Sequence, residues 1–129
     1  MTKPSGQPPV RVLLVDDEPS ALEAYGRYLE FSGYKVLTAK DGEEALAVVQ
    51  REKPDIVFLD IAMPKMDGWE VCRRIKKDPS VCGIPIIFLT AFDQVQDHER
   101  AQRLCVQGYL AKPCEPSELV RFINTCVVV

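Results

Sequence analysis

The stretch "VRVLLVDDEPSA", from Val10 to Ala21, joins an apolar run to three consecutive acids and then a proline. An apolar run of this length is typical of a buried β-strand, and a proline suits the first turn of a helix. Asp16, Asp17 and Glu18 would repel one another, at a cost of about 4 kcal/mol for two charges about 4 Å apart at an effective dielectric of about 20. We therefore expect a compensating group where this strand ends.

Composition places the chain among single-domain globular proteins. It has 129 residues, of which 47% are hydrophobic, and its net charge is −3. This charge argues against a surface for nucleic acid or anionic membrane, and no apolar run approaches the roughly 20 residues of a membrane span. Residues 1–9 are predicted to form a short disordered leader and not a secretory signal. Five cysteines without a C-x-x-C pair favour reduced thiols over a disulfide framework or a zinc site.

Strand and helix patterns alternate along the rest of the chain. Apolar residues at helical spacing follow each of five strand-length runs, and the last helix opens at Pro116. Asp41 is a predicted N-cap with Glu44 three residues on, and the fourth helix is expected at about 94–107. Five β-then-α units imply a parallel sheet with helices on both faces. The predicted strands are 10–15, 35–39, 55–60, 86–90 and 108–111.

Polar side chains mark the C-terminal ends of the predicted strands. Asp16 and Asp17 follow the first strand, Asp60 ends the third, Thr90 ends the fourth, and Lys112 follows the fifth. These ends meet at one edge of a parallel sheet, so the five side chains should converge there. Three carboxylates suit Mg²⁺, a lysine and a hydroxyl can stabilise a phosphoryl group, and an aspartate can form an aspartyl-phosphate. Each residue alone is common in caps, turns or loops, but the combination points to phosphoryl chemistry.

With these residues the chain resembles a response-regulator receiver domain of two-component signalling. The resemblance spans Val10 to Cys126 and rests on "LLVDDEP", "PDIVFLDIAMPKMDGWEV", "IPIIFLTA" and "GYLAKP". It implies an α/β, flavodoxin-like (βα)5 fold with a doubly wound parallel five-stranded sheet in the order 2-1-3-4-5. The receiver domain would occupy residues 10–127.

The resemblance also assigns a role to each polar residue. Asp60 matches the phosphoacceptor, and Lys112, preceding a cis Pro113, matches the lysine that pairs with the phosphoryl group. Thr90 matches the hydroxyl that binds that group, and Tyr109 matches the aromatic that moves inward when Thr90 engages. The metal, Mg²⁺ or Mn²⁺, would be held by Asp16, Asp17, Asp60 and the backbone carbonyl of Ala62.

A signalling function follows from these roles. The implied phosphodonor is a sensor histidine kinase, a phosphotransfer protein or a small molecule. The surface of the fourth helix, fifth strand and fifth helix would then change and engage a downstream protein, a fused output domain or a second copy in a phosphorylation-dependent homodimer. The implied location is the cytoplasm, with no membrane or direct nucleic-acid contact. The domain would catalyse only its own phosphorylation and dephosphorylation, and Ala62 and Phe92 predict that dephosphorylation is slow.

Other functions remain open at the level of sequence. A Mg²⁺-dependent phosphohydrolase would usually carry an acid where Ala62 stands, and a flavin or nucleotide binder would need a glycine-rich loop after the first strand. A pseudo-receiver, which never takes a phosphoryl group, is disfavoured because Asp60, Thr90 and Lys112 are intact. The domain is either a stand-alone regulator or a part of a longer protein.

Further expectations are a solvent-exposed His98, a half-exposed Trp69, an altered surface at Cys105-Val106 and a Cys114 that lies beside the site.

Overall fold

The structure, a computed structural model, describes residues 8–91, 95–104 and 106–127, without the side chains of residues 95–98. Strands and helices alternate throughout this part of the chain. The strands are β1 (Arg11–Val15), β2 (Lys35–Ala39), β3 (Ile56–Asp60), β4 (Ile86–Thr90) and β5 (Gly108–Ala111). The helices are α1 (Pro19–Phe31), α2 (Gly42–Glu52), α3 (Gly68–Lys77), α4 (Val95–Arg103) and α5 (Pro116–Cys126).

The five strands form one parallel sheet in the order β2-β1-β3-β4-β5, which confirms the predicted fold. A hydrophobic core lies on each face of the sheet. One core joins alternate strand residues to α2, α3 and α4, and the other joins the remaining strand residues to α1 and α5. The helices on both faces explain why β3 and β4 are buried along their whole length.

Capping contacts, a proline and a glycine mark the ends of the first three helices. The side chain of Asp41 accepts a hydrogen bond from the backbone N–H of Glu44 at 2.8 Å, and Asp67 accepts one from Glu70 at 3.0 Å. Pro19 occupies the first turn of α1, and Gly33 closes that helix with a φ of +97°. Pro19 marks the start of α1, and the two aspartate caps mark the starts of α2 and α3, each after the strand that precedes it.

Some expectations differ from the structure. Trp69 was predicted to be half-exposed, but only 6% of it is exposed, because it packs in the core between α3 and β4. Helix α4 ends at Arg103 and is shorter than predicted. Phe92, Cys105 and the side chain of His98 lie outside the described residues. Within the described ranges, no helix has the length and apolar character needed to cross a membrane.

Candidate functional site

Three carboxylates meet where β1 and β3 end. Val15 and Leu59 are partners in the β1–β3 register, so the residues that follow them are neighbours. Asp16, Asp17 and Asp60 each offer an oxygen within 4.8 Å of the other two. Asp16 and Asp60 are buried, at 4% and 5% exposed, whereas Asp17 is exposed. The sequence prediction that these three side chains converge is therefore confirmed.

Asp16 is held by contacts on both of its carboxylate oxygens. Its backbone N–H donates to the carbonyl of Ala39 at 3.1 Å, and its Oδ1 accepts from the N–H of Glu18 at 2.9 Å. Its Oδ2 forms an ion pair with the Nζ of Lys112. The main chain after β1 is thus turned so that Asp16 faces Lys112, which follows β5 and partly offsets the repulsion among the acids.

Asp60 is the last residue of the fully buried strand β3. Its Oδ1 accepts a hydrogen bond from the N–H of Ala62 at 3.2 Å, and its Oδ2 lies 3.6 Å from the Nζ of Lys112. Burial raises the pKa of Asp60 from 3.8 to about 6, and the charge of Lys112 opposes that rise while the charge of Asp16 adds to it. Asp60 is therefore largely ionised at neutral pH, yet more basic than an ordinary aspartate.

Lys112 reaches this cluster from the loop after β5. The peptide bond between Lys112 and Pro113 is cis, as predicted, and the N–H of Lys112 donates to the carbonyl of Thr90 at 2.7 Å. Burial lowers the pKa of Lys112, but the hydrogen bond to Asp16 and the charge of Asp60 outweigh burial and raise the pKa above 10.5. Lys112 is therefore positively charged in the site at neutral pH.

Thr90 and Tyr109 lie on neighbouring strands and share one face of the sheet. Thr90 ends β4 and is 1% exposed, and Tyr109 is half-buried on β5 opposite Phe88. Phe88 precedes Thr90 by two residues, so both side chains point to the face that carries Tyr109. Phe88 and Tyr109 both belong to the core beneath α3 and α4. A movement of the Thr90 side chain would therefore first alter the packing of this core.

Cys114 lies beside the site, as expected, and contacts a residue that the sequence did not single out. The hydroxyl of Tyr25 donates to the carbonyl of Cys114 at 3.3 Å and lies 3.6 Å from its Sγ. Burial raises the pKa of the Cys114 thiol, so the thiol form prevails at neutral pH. No sequence signal distinguished Tyr25 from an ordinary inward-facing residue of α1.

The arrangement fits a hard divalent cation. Three carboxylates face one ammonium group, which leaves an excess of negative charge in a mostly buried cluster. Carboxylate oxygens are the ligands that Mg²⁺ prefers, and one exposed ligand leaves room for water and a phosphate oxygen. Asp16, Asp17 and Asp60 would hold the ion, and the expected fourth group, the carbonyl of Ala62, follows Asp60 by two residues.

Comparison with known proteins gives a consistent match. The model of a family described as "Response regulator receiver domain" matches residues 12–124. Protein PilH of Pseudomonas aeruginosa is 37% identical over 114 residues, which cover 88% of this chain and 94% of PilH. The protein named "Probable transcriptional regulator ycf27" of Guillardia theta is 48% identical over 109 residues, which cover 84% of this chain and 42% of that protein. This chain thus spans less than half the length of ycf27 and of several similar relatives.

Solved structures agree with the fold. The chemotaxis protein CheY4 of Vibrio cholerae superimposes with a TM-score of 0.87 and 30% identity, covering 93% of this chain and 100% of CheY4. A CheY-like response regulator receiver domain protein from Methanospirillum hungatei superimposes with a TM-score of 0.84 and 28% identity, covering 92% of this chain and 93% of that protein.

Proposed function

Because the chain belongs to the response regulator receiver domain family, we propose that it is a phosphorylation-controlled signalling switch with Asp60 as its phosphoacceptor. The observation that carries this proposal is the placement of Asp60, at the end of β3, beside Lys112 and two further carboxylates. In this proposal a histidine kinase or phosphotransfer protein supplies the phosphoryl group, and Mg²⁺ or Mn²⁺ is required.

The chemistry of Asp60 supports its role as the nucleophile. An oxygen of its carboxylate attacks the phosphorus of a phosphohistidine, a P–O bond forms, and the P–N bond breaks with its electron pair going to the imidazole. A pKa of about 6 makes this oxygen more basic than that of an ordinary aspartate while leaving it ionised at pH 7. The N–H of Ala62 fixes the other oxygen at 3.2 Å, which orients the group for attack.

The residues around Asp60 would neutralise the negative charge of the incoming phosphoryl group. Lys112, charged and 3.6 Å from Asp60, would pair with the incoming phosphoryl oxygens. Asp16 and Asp17, with the carbonyl of Ala62, would hold the metal beside Asp60. When bound there, Mg²⁺ would supply further positive charge to offset that of the incoming phosphoryl group.

We propose Thr90 and Tyr109 as the switch. A phosphoryl group on Asp60 would accept a hydrogen bond from the Thr90 hydroxyl and draw that side chain toward the site. Tyr109, half-buried in the same core, would then turn inward and alter the surface of α4, β5 and α5. This is a population shift between two packings, favoured by the new hydrogen bond.

The activity proposed is confined to the domain's own phosphorylation and slow dephosphorylation in the cytoplasm. The chain offers an apolar Ala62 where a phosphohydrolase would use an acid, so turnover of other substrates is disfavoured. Its output would be contact with a downstream protein, with a fused domain or with a second copy, and not direct binding of membrane or nucleic acid. PilH is about as long as this chain, whereas ycf27 is about twice as long, so the relatives provide examples of both lengths.

The experiment is phosphorylation with acetyl phosphate and Mg²⁺, followed by intact-mass measurement. The wild-type chain should gain one phosphoryl group, and Asp60→Asn should gain none, because an amide cannot form the acyl phosphate. Asp55→Asn is the matched control, since Asp55 flanks the opposite end of the same strand. An adduct of equal yield on Asp60→Asn would overturn the nucleophile assignment.

Lys112→Ala separates metal binding from switching. The three carboxylates remain in this variant, so Mg²⁺ should still bind, but the phosphoryl group loses its cationic partner. We expect beryllofluoride, a phosphoryl mimic, to shift the NMR resonances of α4, β5 and α5 much less in this variant than in the wild type. An unchanged response would remove Lys112 from the mechanism.

A further inference from the structure

A groove between α3 and α4 is lined mainly by arginine. Its volume is about 200 Å³, and it opens to solvent. We call it the arginine groove, and it is lined by Trp69, Arg73, Arg100, Arg103 and Leu104. Trp69 and Arg73 are four residues apart on α3, and Arg100 and Arg103 are three apart on α4, so each pair shares one face of its helix.

The arginine groove concentrates positive charge on an acidic protein. The chain carries a net charge of −3, yet no aspartate or glutamate is among the described residues that line the groove. Glu70, on the neighbouring turn of α3, pairs with Arg73 and with Arg74. Arg103 forms no ion pair within the described ranges. An oxyanion in the groove would therefore meet guanidinium groups whose charge is only partly compensated.

Trp69 restrains one of these guanidinium groups. The Cζ of Arg100 lies 4.4 Å from the centroid of the Trp69 ring, within the range of a cation–π contact. The ring is itself fixed, because it is 6% exposed and packs edge-on against Phe88 at 4.8 Å. A side chain restrained before binding loses less rotamer entropy when a ligand arrives, so Arg100 is partly preorganised.

The dimensions and the aromatic contact indicate the class of ligand. A volume of about 200 Å³ is below the roughly 300–1,000 Å³ of small-molecule pockets, and it suits one or two side chains. Arg100 already covers the Trp69 ring, so the ring is not a platform for stacking a nucleobase. Guanidinium groups bind carboxylates through paired hydrogen bonds. We propose that the arginine groove docks glutamate or aspartate side chains from an acidic segment of a partner protein.

The proposed docking can be tested on the full chain without phosphorylation of Asp60. The probe is a fluorescein-labelled peptide of alternating glutamate and alanine, and a peptide with glutamine in place of glutamate is its uncharged counterpart. Fluorescence anisotropy measures the affinity for the full chain without phosphodonor. Trp69 is the only tryptophan, so a saturable change of its emission on adding unlabelled acidic peptide would place binding at the groove. The glutamine peptide should produce neither signal, and higher salt should weaken binding.

Matched double variants of arginine test whether the acidic peptide binds in the arginine groove. Arg100→Gln with Arg103→Gln should weaken binding of the acidic peptide at least about tenfold, because both guanidinium groups face the groove. Arg27→Gln with Arg121→Gln removes the same charge from exposed positions on α1 and α5 and should stay within about twofold of wild type. Equal losses of affinity in both double variants would overturn the proposal, because binding would then depend only on the net charge of the protein. Tighter binding of inorganic phosphate or of a short RNA to the groove would also overturn it.

Discussion

At the scale of single residues, Asp60 is a buried carboxyl group whose pKa the protein raises. It is almost fully buried, next to the carboxylate of Asp16, and Lys112 compensates only part of the cost. Burial raises its pKa to about 6. A phosphoacceptor needs an ionised but basic oxygen, so the feature that favours the proposed chemistry also costs folding stability at neutral pH.

The pH dependence of stability tests this cost. Between pH 3.8 and about 6 the folded state keeps a proton on Asp60 that the unfolded chain has released. The contribution of Asp60 to stability therefore falls as pH rises through this window and stays low above it. Asp60→Asn removes the ionisation, so the variant should gain on the order of 2 kcal/mol relative to wild type between pH 4 and pH 7.5.

Denaturant unfolding at both pH values, with EDTA to remove metal ions, measures the difference. Glu30→Gln, a carboxylate-to-amide change at an exposed position of α1, should show no such trend. A constant difference between Asp60→Asn and wild type across the pH range would contradict the raised pKa.

Ala62 bears on how long the phosphorylated state lasts. Its exposed side chain is apolar and follows Asp60 by two residues, so it cannot position an attacking water molecule by a hydrogen bond. We expect slow loss of the phosphoryl group, and Ala62→Asn, which adds an amide at this position, should accelerate it about tenfold. Intact-mass spectra taken over time measure the decay, and a lifetime of seconds in the wild type would count against this prediction.

At the scale of elements, the start of α3 is built directly onto the end of β3. A Cβ atom on Gly68 would lie 2.5 Å from the carbonyl oxygen of Asp60 and 2.8 Å from the Cα of Ile61. The N–H of Gly68 also donates to the carbonyl of Ile61 at 2.9 Å. Only glycine allows this approach, so the helix and the backbone of the phosphoacceptor strand are positioned together.

Substitution of Gly68 should therefore disturb both stability and the site. Gly68→Ala forces backbone atoms apart and should destabilise the fold by about 1–3 kcal/mol, and phosphorylation of Asp60 should slow as well. Gly83→Ala is the matched control, because nothing lies within 4 Å of its added Cβ, and we expect a change within about 0.5 kcal/mol. Thermal unfolding and the rate of adduct formation measure the two effects, and equal behaviour of the two variants would refute the steric argument.

At the scale of the whole molecule, the sheet separates two cores, and Val10 belongs to one of them. This residue precedes β1, is 2% exposed, and packs in the core beneath α1 and α5. Its carbonyl accepts a hydrogen bond from the N–H of Lys35 at 2.9 Å, which extends the pairing of β1 with β2. We propose that the folded domain starts at this residue.

Truncation tests that boundary. Removal of residues 1–9 should change the free energy of unfolding by less than about 0.5 kcal/mol, since the sequence predicts no packed structure there. Removal of residues 1–11 also deletes buried Val10 and the ion pair of Arg11 with Glu52, and should cost about 1–3 kcal/mol. A large loss from the shorter deletion would show that the leader belongs to the folded domain.

The sequence by itself determined the elements and the chemistry of the strand ends. Alternating apolar runs and helical spacing predicted five strands and five helices, because burial on both faces requires continuous apolar strands. The cap at Asp41 was also local, since it depends on residues within one turn. The acids, the threonine and the lysine could be placed at one edge because parallel strands end together.

Only the tertiary structure decided distances and partners. It placed Lys112 in an ion pair with Asp16 and 3.6 Å from Asp60, buried Trp69 against Phe88 and brought Arg100 onto its ring. None of these contacts has a local signal, because each joins residues from different elements. Their geometry depends on how side chains of particular volume pack between helix and sheet, and a pattern of polar and apolar residues does not specify that packing.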